Sequence, residues 1–469
     1  MNLYSWSDGL GNNDKENELW RCQLDRMQSL ADGIRSGSSS GPTAFWLDTL
    51  CVPVGDANRH PGGDRGRDLR KDAISHMARI YRLAVRVLVL DATLLVLSRT
   101  ADLVDKYVQI HLSNWHHRLW TMQEGHLAAR LFFQWADGAE SFDDMKRAEL
   151  AVYDGRAARN LCSPVRLLCA LELEAFYRDG ELAARDVAVR MRSCARYLRS
   201  RDTSRTEDES VCVANILGLG SDGAREILEQ DGADARMARF YDLVGRFDAR
   251  IIFHNHPRLR TNGYRWAPSS FLRQVPDIIG MRGFMNDVEP PHAILQPGGG
   301  GLHVQFGGFE FTTSSSAGLP QPGSPVLIRQ QTDGRMWAPR YYGDVKTPWW
   351  ASAFQMEIHA TLGTGRRWAV IWPGCLERDL LPHNMTAVVA SIDDDIAPCP
   401  ARPWQVVQTL WTAMSRYGIE LPAYFTAQSI SIRYACRATI TMPAPETVSP
   451  HHASLAIWAY SMPQEWLLR

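Results

Sequence analysis

An alternation in the first 139 residues constrains this chain most. Short continuous apolar runs take turns there with segments of helical period. The runs are residues 2–6, 44–52, 85–90 and 131–135, and the helical segments are 17–35, 68–84, 100–112 and 113–129. A continuous apolar run closed by Gly, Pro or Asp reads as a strand buried on both faces. Pro53 and Gly55 stop the second run, and Ala136, Asp137 and Gly138 stop the fourth. Leu69, Ala73, Met77, Ile80 and Tyr81 recur at helical spacing between the second and third runs,. The order β-α-β-α-β-α-β predicts a parallel sheet with helices on both faces, because parallel neighbours need crossover connections. Ligands of such sheets bind beyond the carboxyl ends of the strands. The expected rim carries Ser7, Asp8 and Gly9 after the first run, Cys51 and Val52 after the second, and Asp91 after the third.

Residues 140–249 read as mostly helical and rich in arginine. Glu172, Glu174, Glu181 and Asp186 intersperse the basic residues, as on a solvated face rather than a nucleic-acid surface,. A charged loop at 199–209 precedes an apolar helix at 211–219. From residue 250 the texture changes. Short β-like runs at 251–254, 302–306, 326–330, 368–372, 387–392, 430–435 and 455–460 are separated by Gly- and Pro-rich turns, with one helix at 404–417. Three domains are therefore expected: an α/β domain at 1–139, a helical segment at 140–249 and a β-rich domain at 250–469. A formal net charge of −1 over 469 residues speaks against wholesale nucleic-acid binding,. Nine cysteines without a CxxC pair speak against a zinc ribbon or a disulfide framework and fit a reducing, cytoplasmic compartment,. The most apolar run, 83–98, is interrupted by Arg86 and Asp91 and is too short to span a bilayer,.

Residues 113–125, SNWHHRLWTMQEG, read as a helix start, with Ser113 or Asn114 as its cap,. Leu119, Trp120, Gln123 and Leu127 fall on one side, and Glu124 shares their stripe,. A carboxylate at that edge is either paired, with Arg118 or Arg130 at hand, or lines a cavity. Asp48 interrupts an apolar run, as a hydrogen-bonded buried acid or as a residue shaping the rim,. Cys51 stands at an expected strand end, where packing and nucleophilic roles both remain open,. Trp6 and Trp120 read as core aromatics or as rings that stack on a flat ligand. His116 and His117 are adjacent and point to different sides of a helix, and His254 and His256 lack a third ligand nearby, so no metal is expected,. The motif G-x-S-x-G is absent, and the glycine run at 298–301 is not followed by Lys-Ser or Lys-Thr,.

SNWHHRLWTMQEGHLA at 113–128 resembles the closing motif of the fungal heterokaryon-incompatibility (HET) domain, W-x-x-R-x-W-x-x-Q-E-x-x-L-A. WSDGLGN at 6–12, FWLDTLCVPV at 45–54 and MARIYRLAVRVLVL at 77–90 resemble that family's earlier motifs in order and spacing. Weaker echoes follow at 206–220 (TEDESVCVANILGLG) and 263–272 (GYRWAPSSFL). The family's first strand usually has several residues before W-S-D-G; only residues 2–5 stand there here, so a short first strand is expected.

The resemblance implies a parallel core of TIR/flavodoxin type and a role in triggering regulated cell death. Through the remote kinship of HET and TIR domains it implies cleavage of NAD at the ribose–nicotinamide bond, with NAD as substrate and no bound cofactor. Ser113-x-Trp115 and Trp120-x-x-x-Glu124 are similar, with an insertion, to the TIR helix that carries the catalytic glutamate. The implied catalytic residue is Glu124, with Trp6, Ser7, Asp8, Gly9, Asp48, Cys51, Arg118 and Trp120 on the substrate side. A fixed carboxylate would stabilise the oxocarbenium-like ribose as the bond opens, and Arg118 would hold a phosphate or pair with Glu124. The alternative is a non-catalytic module that assembles with partners. Self-association or other incompatibility proteins are the expected partners, with no nucleic acid, membrane span or metal.

Overall fold

A computed structural model describes residues 19–35, 42–53, 63–153, 186–253, 257–272 and 292–312 apart from 297 and 299, together with the later strands named below. The first apolar run at 2–6, His254 and His256, and the expected helix at 404–417 lie outside the described residues. The chain divides into two compact units, Met1–Val244 with Ser270–Gln274, and Gly245–Ser269 with Val275–Arg469.

The first unit is mixed α/β. Its sheet has the order β1-β2-β3, formed by β1 (Val87–Val89), β2 (Leu131–Trp135) and β3 (Gly138–Ser141). β1 and β2 are parallel, with Val87 opposite Leu131. β2 and β3 are antiparallel, with Trp135 opposite Gly138. The expected all-parallel sheet is corrected in two respects. First, β3 follows β2 across a tight turn, and antiparallel neighbours need no crossover. Second, residues 44–52 are not a strand. Residues 42–47 carry no ladder, and Asp48–Cys51 makes one helical turn, α2. The run buries one residue rather than a face: Leu47 is fully enclosed with Met27, Leu88 and Leu90, whereas Ala44 and Cys51 are exposed. Asp48 then starts the turn, its carboxylate accepting the Thr49 N–H at 2.7 Å and its carbonyl accepting the Val52 N–H at 2.8 Å.

The helices of this unit are α1 (Arg21–Gly33), α3 (Gly63–Leu83), α4 (Leu103–Leu112), α5 (Asn114–His117), α6 (Leu119–His126), α7 (Phe142–Tyr153), α8 (Val187–Tyr197), α9 (Glu209–Leu217), α10 (Gly220–Leu228) and α11 (Ala233–Val244). Every residue of α9 is buried. A helix apolar on all sides belongs in a core, and α9 packs against α3, α6, α8, α10 and α11. It stops at Gly218, whose φ of 73° is left-handed. A side chain there strains the backbone, although an added Cβ would meet only the ends of Arg190 and Arg82 at ordinary contact distance,. Gly218→Ala is therefore expected to lower unfolding stability by about 1–2 kcal/mol in urea denaturation.

The expected single helix at 113–129 is broken in two. Ser113 caps α5 by accepting the His116 N–H. Arg118 is extended, with φ −83° and ψ 141°. The groups freed by the break are taken up by a short parallel bridge to Asp202,. Leu119 N–H donates to the Asp202 carbonyl at 2.8 Å, and Asp202 N–H donates to the His117 carbonyl at 2.7 Å. The fully buried Arg201 donates to the Arg118 carbonyl at 2.8 Å.

The second unit begins with β4 (Arg246–Asp248), followed by a 3₁₀ turn at Ala249–Phe253 where a β-like run was expected. Arg258 holds the turn by donating to the carbonyls of Ile251 and Ile252. The remaining strands are β5 (His292–Gln296), β6 (Gly301–Thr312), β7 (Pro325–Ile328), β8 (Phe354–Ile358), β9 (Arg367–Trp372), β10 (Asn384–Ile392), β11 (Ile430–Thr441) and β12 (Ile457–Leu468). β6, β9, β10 and β11 pair antiparallel in that order. β12 then runs parallel to β11 and antiparallel to β6, which closes the ring. β8 and β7 branch from β11, and β5 and β4 branch from β6. Leu302 and Val304, Val388 and Ala390, and Ile371 are buried, the alternation expected of strands with one covered face,. The register of β12 shifts between Tyr460 and Gln464, where Pro463 has no N–H for the ladder,. No helix among the described residues is long and apolar enough to cross a membrane.

Candidate functional site

Glu124 is 3% exposed. Two donors reach its carboxylate from other elements: Trp115 Nε1 of α5 lies 3.2 Å from one oxygen, and the Tyr81 hydroxyl of α3 lies 3.4 Å from the other. Burial pushes the Glu124 carboxyl above the ordinary carboxylate range, and the Asp48 charge pushes the same way. The Arg118 charge and the Trp115 N–H oppose that shift. Burial also lifts the Tyr81 phenol well above its usual range, with the Glu124 and Asp48 charges adding to it. Tyr81 is thus held as a neutral donor.

Asp91 fixes the indole-bearing turn from the other side. One oxygen accepts the Trp115 backbone N–H at 2.8 Å, and the other accepts the N–H and hydroxyl of Thr93 at 2.9 and 2.7 Å. A residue just past β1, the α5 tryptophan and the α6 carboxyl therefore form one hydrogen-bonded series. Trp46 sets its ring edgewise on Tyr81, 5.5 Å between centroids. A buried carboxyl fixed by neutral donors can stabilise positive charge or move a proton, because burial strengthens its electrostatics,.

The structure brings only part of the expected set together. Trp6, Ser7, Asp8 and Gly9 lie outside the described residues. Asp48 stands at the start of α2, near enough for its charge to act on Glu124 and Tyr81. Cys51 is exposed at the end of the same turn, not at a strand end. Arg118 sits at the break between α5 and α6. Trp120 turns away from the cluster and donates its indole N–H to Asp208 at 2.9 Å. The shared stripe of Trp120 and Glu124 thus separates: one side chain reaches the turn before α9, and the other reaches α3 and α5. Arg130 is exposed, so the ion pair considered for it with Glu124 is replaced by neutral donors. His111, His116 and His117 gather with ring centroids 4.5, 5.7 and 6.4 Å apart. Among the described residues, however, no group of three His, Cys, Asp or Glu side chains is placed to hold a metal.

No match was found. The chain was compared with family models, with curated proteins and with solved structures.

Glu209 is another buried carboxyl, at 1% exposure, and not among the residues the sequence points to. It opens α9 and accepts the Ser270 hydroxyl and the Phe271 N–H, each at 2.6 Å. Its only sequence signal is an acid at the start of an apolar helix, which reads as a simple end-cap. Burial pushes its carboxyl up to about 7, against the lowering effect of those two donors. Because the folded value is raised above the 4.5 of an ordinary glutamate, this stabilising contribution is complete below about pH 4.5 and is lost as pH rises through about 7,. The full swing is on the order of 3 kcal/mol. Unfolding measured across that range is expected to flatten in Glu209→Gln.

Proposed function

We propose that the chain is a heterokaryon-incompatibility-type effector of regulated cell death whose α/β unit breaks the ribose–nicotinamide bond of NAD at Glu124. The observation that carries this reading is the buried Glu124 carboxyl, oriented by Tyr81 and Trp115. It stands within the fourth of the ordered motifs that resemble the HET domain. A fixed carboxylate acts on a developing ribosyl cation without first shedding water. The TIR-like reading of the core, the β-rich domain at 250–469, a cytoplasmic location and self-association or pairing with other incompatibility proteins belong to the same proposal. The test is to incubate purified protein with NAD and follow nicotinamide. Release that rises faster than linearly with protein concentration is the expected result; none at any concentration would sink the enzyme reading.

The 3% exposure of Glu124 favours a second reading. Here the carboxyl organises a signalling module that assembles with partners and does no chemistry. Self-association without nicotinamide release would support it.

A further inference from the structure

Arg82, in the last turn of α3, and Arg190 of α8 bring two guanidinium groups to one spot beside Gly218. A Cβ added at Gly218 would lie 3.6 Å from Arg190 Nη1 and 3.7 Å from Arg82 Nη2, with no other atom of a neighbouring element nearer than 4 Å. Each arginine uses one donor on the end of α9: Arg82 on the Asn215 carbonyl at 3.0 Å, and Arg190 on the Leu217 carbonyl at 2.6 Å. Among the described residues neither meets a carboxylate.

End-capping accounts for only part of this arrangement. A helix C-terminus offers about half a negative charge, and two whole positive charges converge on it. Burial and the neighbouring Arg190 both lower the Arg82 pKa, as uncompensated crowding requires. Each guanidinium has five N–H donors, so most remain unspent. Arg190 Nε is buried without a partner. Two residues past Gly218, α10 begins without a side-chain cap at its first turn, and free N–H groups there favour an anion. Asp222 in that turn is exposed and is the acidic group nearest in sequence.

We propose that Arg82, Arg190 and the Gly218 turn form a binding site for a phosphate-bearing anion. Two forks approaching from different helices suit the several oxygens of a phosphate or pyrophosphate better than a single planar carboxylate. The glycine leaves the space between them open. The site does not depend on Glu124 or on any reaction there.

Calorimetric titration of the full chain with inorganic pyrophosphate tests it, with acetate at equal ionic strength as the control. One saturable site is expected for pyrophosphate and none for acetate. Arg82→Gln and Arg190→Gln should each weaken binding by about tenfold or more. If a variant fails to fold, amide shifts of Gly218, Gly220 and Ser221 in the unaltered protein read the same site. Absence of saturable binding at roughly 10 mM, equal binding of acetate, unchanged affinity in the two folded variants, or shifts confined elsewhere would each overturn the proposal.

Discussion

Glu124→Gln is expected to lower nicotinamide release about 100- to 1,000-fold, the loss typical when one fixed electrostatic partner of a transition state is removed. The substitution keeps shape and leaves both groups a partner: the amide oxygen accepts from Trp115 Nε1, and the amide NH2, standing where the other carboxyl oxygen was, donates to the Tyr81 oxygen,. What disappears is the charge, which burial already disfavours. Thermal stability near neutral pH should therefore hold or rise slightly, because a buried carboxylate costs more than a buried amide. In the active protein the working form is the ionised one. Release should therefore climb with pH through the raised value of the carboxyl, a dependence that Glu124→Gln cannot show. Full release by a folded Glu124→Gln protein would place the chemistry elsewhere.

Lys106→Met should cost about 3–5 kcal/mol of unfolding stability, the usual result of removing one member of a buried ion pair. Lys106 lies on α4 with 4% of its side chain exposed, and its ammonium sits 2.8 Å from Glu140 of β3. It also donates to the Arg99 carbonyl and lies 5.9 Å from the Trp135 ring centroid. Glu140 accepts the Trp135 indole N–H at 2.9 Å as well. One cation thus ties the last strand of the small sheet to the helix that leads into α5. Methionine fills similar volume but strands the Glu140 carboxylate in a place with little water. Adding Glu140→Gln to Lys106→Met should recover much of the loss in urea denaturation. A loss below about 1 kcal/mol for the single change would mean that the pair behaves as a surface bridge.

Much of the first unit was legible because its pattern is local. β1, β2 and most helices follow from apolar period alone. The run at 44–52 misled because a short apolar run cannot tell a strand from a stretch that seats one residue, and here Leu47 is that residue. β3, GAES, carries no apolar alternation at all. The stripe put Glu124 at the edge of the core, paired or lining a cavity, but neither its near-complete burial nor its partners could be read from it. The stripe assumes one continuous helix, and Arg118 breaks it. The break in turn depends on Asp202 and Arg201, far along the chain. Glu209 was missed for the same reason: Ser270 and Phe271 are 61 and 62 residues away, and no local pattern announces them.

The ring of the second unit has a consequence for how the chain comes off the ribosome. β6 is laid down early, and its partner along nearly the whole of one edge, β12, comes only after β9, β10 and β11 have been made. Until then β6 offers a long row of unsatisfied amides and carbonyls, and one end of β11 offers a shorter one. Such rows are templates for pairing with other nascent chains. Closure also joins strands distant in sequence, which makes it a slow event. Synthesis of this half of the molecule therefore has a period of stickiness that ends only when residues 457–468 arrive. Crowding of polysomes or shortage of chaperones would be felt during that interval.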